Sequence, residues 1–89
     1  MRLIDERPYD PPRPIEVELD GSWWPGVQHS WRLCDDSRGW QADVEFTAQH
    51  SWGLGKYRPM VPPHRIRLRG DHATVQRPVD DSSRRSPVT

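Results

Sequence analysis

Histidine and cysteine side chains are the metal ligands that this 89-residue sequence offers. The histidines are His29, His50, His64 and His72, and the one cysteine is Cys34. A structural zinc site usually takes ligands in pairs that lie a few residues apart, whereas these residues are widely separated. We therefore predict no metal site and no cofactor.

The residue types of a hydrolytic triad are also present, for example in His29, Ser30 and Asp43. Neither a nucleophile elbow nor a glycine motif for an oxyanion hole accompanies them. Apolar residues concentrate in 15–69, and so small a core leaves little room for a substrate pocket of about 300 Å³. We predict that the protein is not an enzyme.

Arginine supplies almost all of the positive charge, and Lys56 is the only lysine. Arg65, Arg67 and Arg69 alternate with apolar residues, so in a strand they share one face. Such a row could bind phosphates, with Arg58 shortly before it. The chain carries no net charge and is not a general polycation. Nucleic-acid contact through these four arginines is one interpretation, and a row neutralised within the fold is the other.

A period of two in the apolar residues predicts strands throughout 15–69. The alternation is clearest in the third strand, from Trp40 to Phe46. No window has the apolar spacing of an α-helix, and a 3₁₀ turn is expected at 62–65. The predicted strands are 15–19, 23–33, 40–47, 57–61 and 65–69, with a longer loop over 48–56.

The two ends of the chain differ from this region in composition. Residues 1–14 contain four prolines, which favour extended chain, and residues 70–89 are polar and charged. We predict a disordered proline-rich arm over 1–14 and a disordered polar tail over 70–89. No apolar run could span a membrane or serve as a signal segment, so we expect a cytoplasmic protein without membrane contact.

Three segments of the chain resemble a known group of folds. They are IEVELDGSWWPGVQHSW at 15–31, WQADVEF at 40–46 and HRIRL at 64–68. A second strand entered through D-G-x-W-W-x-G-V, a hydrophobic third strand and a closing I-R step are similar to the Tudor, agenet and PWWP group of SH3-like barrels. VPPHRI at 61–66 also resembles the ending of peptide-binding SH3 domains. The resemblance implies an all-β, five-stranded antiparallel SH3-like (Tudor-like) barrel over 15–69.

The same resemblance implies a binding site. Members that bind methylated lysine or arginine form an aromatic cage from the loop between strands one and two and the loop between strands three and four. Parity places Trp23 on the core side and Trp24 outward. The candidate ligand-binding residues are therefore Trp24, Trp52 and Tyr57, with Asp20 as a nearby acid. The alternative is that the tryptophans fill the core.

The first and last strands of SH3-like barrels pair, which would place Glu16 and Glu18 opposite the arginine row. We predict a non-catalytic binding module that recognises a protein or peptide segment through the aromatic end of the barrel. The alternative is a nucleic-acid-associated accessory protein that uses Arg58, Arg65, Arg67 and Arg69.

Overall fold

A computed structural model describes residues 2–36, 38–70 and 72–78 of the chain. Within these ranges the regular structure is strand apart from one turn of 3₁₀-helix, and no helix is long or apolar enough to cross a membrane. The all-β prediction is confirmed, as is the 3₁₀ turn beside the proline pair. The elements are β1 (Leu3–Leu19), β2 (Ser22–Cys34), β3 (Trp40–His50), β4 (Gly53–Tyr57), β5 (Met60–Val61), the 3₁₀ turn η1 (Pro63–Arg65) and β6 (Ile66–Leu68).

The strands form one antiparallel sheet in the order β4-β3-β2-β1-β6, and β5 pairs with β3 beyond the end of β4. β4 and β5 thus lie one after the other along the same side of β3. Between them, the Pro59 carbonyl accepts a hydrogen bond from the Val44 amide of β3. The predicted pairing of first and last strands is present, because Glu16 of β1 lies opposite Arg67 of β6. No pairing joins β4 to β6 in the described residues, so the sheet is open, whereas the sequence predicts a closed barrel.

β1 is much longer than the predicted strand 15–19 because the proline-rich segment is part of it. Residues 3–8 pair with β2, so residues 3–14 form strand rather than the predicted disordered arm. β2 is the only neighbour of this half of β1 among the described residues, and prolines are tolerated where one side of a strand is unpaired. The Tyr9 hydroxyl also anchors the segment, since it accepts a hydrogen bond from the buried Trp31 indole at 3.1 Å.

The predicted polar tail is likewise ordered in its first part. The Leu68 amide donates a hydrogen bond to the Ala73 carbonyl at 2.9 Å, and Arg67 forms a β-bridge with Thr74. Val75 is buried in the core. The segment 72–75 therefore covers the outer edge of β6, and the prediction for 79–89 lies outside the described residues.

The core lies on one face of the sheet, and the third strand has the predicted alternation of core side chains. β3 supplies the largest share, while single residues come from β5 and from the covering segment. The buried apolar residues are Ile15, Val17, Trp31, Trp40, Ala42, Val44, Phe46, Ala48, Val61, Ile66 and Val75.

A β-bulge in β2 reverses the predicted orientation of two tryptophans. The register between β2 and β3 shifts by one residue at His29, and such a shift moves all following side chains to the other face. Trp31, after the bulge, is buried. Before the bulge, Trp24 lies opposite buried Val17 on the core face, and Trp23 points to the other face. The predicted inward Trp23 and outward Trp24 are therefore exchanged.

The predicted loop over 48–56 is a hairpin. β3 continues to His50, and β4 begins at Gly53 after the two-residue turn Ser51–Trp52. Gly53 has φ 132°, a conformation that L-residues with side chains rarely adopt. This tight hairpin replaces the longer loop predicted over 48–56.

Candidate binding site

Two hairpin turns lie at the same end of the sheet. The β1–β2 turn is Asp20–Gly21, with both residues in the left-handed region at φ 53° and 85°. The β3–β4 turn lies at the same end because β2 and β3 are antiparallel neighbours. The sequence prediction placed its candidate residues in these two turns and the strands beside them. Asp20 is exposed at the tip of the first turn.

An aromatic cluster, formed by His50, Trp52 and Tyr57, occupies the end of the β3–β4 hairpin. The Trp52 ring stacks on the His50 ring with centroids 4.8 Å apart and planes at 11°. The Tyr57 hydroxyl lies 2.7 Å from His50 Nε2, and the two rings meet edge to face. Tyr57 in turn stacks on the core residue Phe46 at 5.2 Å. Trp52 is 70% exposed, so the cluster presents one open indole face.

The backbone beneath the cluster belongs to Gly55. A Cβ atom at this position would lie 3.0 Å from the ring carbon Cη2 of Trp52 and 3.0 Å from the Tyr57 hydroxyl oxygen. The two rings therefore lean over Gly55 from either side along β4. The absence of a side chain there allows the cluster to lie flat against the edge of the sheet.

Trp24 belongs to the same face and the same end of the sheet but not to the cluster. It is half-buried and packs against the core. No ring contact between Trp24 and the cluster occurs among the described residues. The structure thus brings Trp52 and Tyr57 together as predicted, adds His50, and assigns Trp24 a packing role. Stacked rings of this kind do not surround a cavity as an aromatic cage does.

Two of the three arginines in the row pair with carboxylates within the fold. Arg67 Nε donates to Glu16 Oε1 at 2.7 Å, and Arg65 Nε donates to Glu18 Oε1 at 3.3 Å. The hydrogen bond from Arg67 holds the pKa of Glu16 below its ordinary value of 4.5. His72 also lies 3.1 Å from the Glu16 carboxylate. The predicted carboxylate partners of the row are therefore confirmed.

The remaining candidate arginines also have partners inside the fold. Arg58 pairs with Asp43 at 3.2 Å, and this carboxylate raises the pKa of the Arg58 guanidinium. Arg69 donates to the Ile15 carbonyl at 3.4 Å and to the Gly26 carbonyl. Because all four candidate arginines have partners, they do not form a continuous row of unpaired guanidinium groups that could bind phosphates.

Sequence reasoning missed two features of the site. One is His50, which joins Trp52 to Tyr57; a hairpin register centred on Ser51–Trp52 would have revealed it. The other is the position of Trp23 on the outer face, defined as the face of the sheet opposite the core. There the Arg67 guanidinium carbon lies 4.2 Å from the centroid of the Trp23 ring, so this arginine covers an apolar ring as well as pairing with a carboxylate.

The outer face also carries an open groove of about 380 Å³ near β4. Glu45 on its wall is bound by His29 at 2.8 Å. The described residues include no group of three side chains that could hold a metal ion. The groove is lined by Pro25, Gly26, Val27, Glu45, Phe46, Thr47, Lys56 and Arg69.

Comparison of the chain with protein-family models, with curated proteins and with solved structures found no match. The function must therefore be inferred from the geometry of the chain's own residues.

Proposed function

We propose that the chain is a non-catalytic binding module that recognises a protein segment through the aromatic cluster of the β3–β4 hairpin. The observation that carries the proposal is the combination of exposure and order in Trp52. Its ring is 70% exposed, yet it is held by stacking on His50, which is itself bound to Tyr57. An aromatic ring that is already ordered loses little entropy when a partner covers it.

The free energy available at this position is large enough for a hot spot. A tryptophan side chain buries about 150–250 Å². Covering the exposed 70% of Trp52 at about 25 cal/mol per Å² would contribute at most about 4 kcal/mol. Tryptophan and tyrosine are also the residues most often found as binding hot spots.

The strand order supports the resemblance of the fold to SH3-like barrels. The last strand lies beside the first, and a 3₁₀ turn precedes the last strand, at the VPPHRI segment. Both features agree with the resemblance to Tudor-type SH3-like barrels. In that fold a ligand end built from the β1–β2 and β3–β4 turns is expected, and Trp52 of the aromatic cluster lies in the second of these turns.

The alternative, a nucleic-acid-associated protein, receives less support. Three of its four arginines are bound to carboxylates, and the fourth, Arg69, is bound to backbone carbonyls. Binding phosphates would require these pairs to break or to be shared. A protein ligand that contacts Trp52 requires neither change.

The experiment is a selection of peptides from a random display library on the full chain, followed by calorimetry with the selected peptides. Trp52→Ala should weaken their binding at least about thirtyfold, because a hot spot contributes about 2 kcal/mol or more. Ile4→Ala is the matched control, because Ile4 is 61% exposed but lies at the opposite end of the sheet. Trp24→Ala is unsuitable, since Trp24 packs against the core.

Unchanged peptide binding by Trp52→Ala would refute the proposal. A random-sequence oligonucleotide tests the alternative in the same way. Phosphate binding gives an affinity that falls steeply between about 50 and 200 mM salt, whereas aromatic contact gives a shallow dependence. Steep, tryptophan-independent binding of the oligonucleotide would support the alternative.

A further inference from the structure

The two edges of the sheet differ in how the chain covers them. At one edge, the segment 72–75 pairs with β6 through the Leu68–Ala73 hydrogen bond and the Arg67–Thr74 bridge. At the other edge, no described segment pairs with the outer side of β4. An uncovered edge offers unpaired N–H and C=O groups to any extended chain that approaches it.

The hairpin register shows which backbone groups of β4 are free. The two-residue turn is closed by the pair His50–Gly53, and in such hairpins the closing pair is hydrogen-bonded. Hydrogen-bonded and non-hydrogen-bonded pairs then alternate. Gly53, Gly55 and Tyr57 therefore bond to β3. The N–H and C=O groups of Leu54 and Lys56 point away from the sheet.

The side chains along this edge differ between the two faces. On the outer face stand Leu54, which is 66% exposed, and Lys56, also exposed. Lys56 forms no ion pair with a carboxylate in the described part of the chain. On the core face, the rings of Trp52 and Tyr57 lean over Gly55. A strand added here would place its side chains beside Lys56 and Leu54 on the outer face and beside the aromatic rings on the core face.

We propose that the outer edge of β4 binds an extended peptide segment as an additional strand, with acidic side chains beside Lys56 and apolar side chains beside Trp52 and Tyr57. This inference rests on the proposed function, because it specifies how a protein segment would contact the aromatic cluster. The alternation of acidic and apolar residues follows from the period of two in a strand.

A second copy of the chain fits this edge less well. Antiparallel pairing of two β4 strands about Gly55 would place each Lys56 opposite the partner's Leu54. The two lysines would then be diagonal neighbours about 7–8 Å apart, a distance at which like charges repel. A lysine on an edge strand is also a common means of preventing self-association.

The experiment uses the full chain and two synthetic peptides, one of sequence TVEVEVEVT and one of sequence TVKVKVKVT. Amide hydrogen exchange is followed by NMR with and without each peptide. The acidic peptide should slow exchange at the Leu54 and Lys56 amides at least about tenfold, because these N–H groups become hydrogen-bonded. The Gly55 amide, already bonded to β3, should change little. The basic peptide should have no effect.

Two variants test the edge separately from the rings. Leu54→Pro removes an N–H that β3 does not use and should abolish binding of the acidic peptide. Lys56→Glu should reverse the preference, so that the basic peptide binds instead. This second variant keeps the test decisive if the proline variant fails to fold.

The outcomes distinguish this inference from the proposed function. If Trp52→Ala weakens binding while Leu54→Pro and Lys56→Glu do not, the edge inference is wrong and the aromatic function stands. If the edge variants weaken binding and Trp52→Ala does not, the peptide binds through the strand edge alone, which refutes the proposed aromatic function and the placement of apolar side chains beside Trp52. An acidic peptide that protects neither amide overturns the inference. The inference is also overturned if sedimentation shows a dimer and the Leu54 and Lys56 amides are protected from exchange without peptide.

Discussion

Replacing either of two glycines by alanine should have very different effects on stability. Gly26 lies in β2 where the strand passes β3. A Cβ atom at Gly26 would lie 2.4 Å from the Glu45 carbonyl oxygen and 2.7 Å from Phe46 Cβ. The first atom is backbone and the second is fixed to a buried strand, so neither can move without separating β2 from β3. At Gly55, by contrast, the new Cβ would meet only the outer ends of two aromatic rings.

The magnitudes follow from these contacts. Forcing a methyl group into a packed site costs about 1–3 kcal/mol, while loss of glycine freedom in the unfolded chain returns about 0.4–1 kcal/mol. We expect Gly26→Ala to lower the free energy of unfolding by about 1–2 kcal/mol, which corresponds to a fall in Tm of about 4–16 °C for a domain of this size. Gly55→Ala should stay within about 1 kcal/mol of wild type, because the rings can rotate away.

Urea unfolding followed by circular dichroism measures both variants, and the NMR signal of the Trp52 indole N–H reports the aromatic cluster. Gly55→Ala should shift that signal and leave the free energy of unfolding nearly unchanged. Gly26→Ala should lower the free energy of unfolding and leave the signal unchanged. If Gly26→Ala were as stable as wild type, the close approach of β2 and β3 would be incorrect. Equal destabilisation by both variants would show that the cluster at Gly55 is as rigid as the backbone.

Three further predictions concern the core, the chain ends and pH. Trp40→Ala should cost about 3–5 kcal/mol, and because so small a domain lies near the lower end of the usual stability range of about 5–15 kcal/mol, little cooperative folding should remain in a thermal scan. Trimming the chain to residues 14–70 should lower Tm, because it removes most of β1 and the buried Val75. An unchanged Tm would contradict the packing described for both ends. Arg67 lowers the pKa of Glu16, so the stability due to this pair is complete above pH 4.5 and is lost as the pH falls through the lowered pKa. Glu16→Gln should reduce this loss of stability at low pH in urea titrations at pH 3–5. An identical pH dependence in the variant would contradict the stabilising role of the Glu16–Arg67 pair.

The sequence predicted those features that depend on local alternation. The strand from Trp40 to Phe46, the 3₁₀ turn and the all-β class follow from side-chain period and proline placement, which act over a few residues. Pairing of the first and last strands followed from the resemblance to SH3-like barrels. That pairing correctly indicated that Glu16 would neutralise Arg67, because cross-strand neighbours on one face are close in space.

Tertiary structure alone decided the features that depend on register. The single extra residue at His29 exchanged the faces of Trp23 and Trp24, and nothing in the period of the sequence reveals a bulge until a partner strand is aligned with it. The proline-rich segment forms strand because β2 is long enough to pair with it and Tyr9 reaches Trp31. His50 joined the aromatic cluster for the same reason, since the contact between His50 and Tyr57 exists only once the hairpin has closed across seven residues. Local composition sets which residues form strands, but long-range pairing sets which side chains meet.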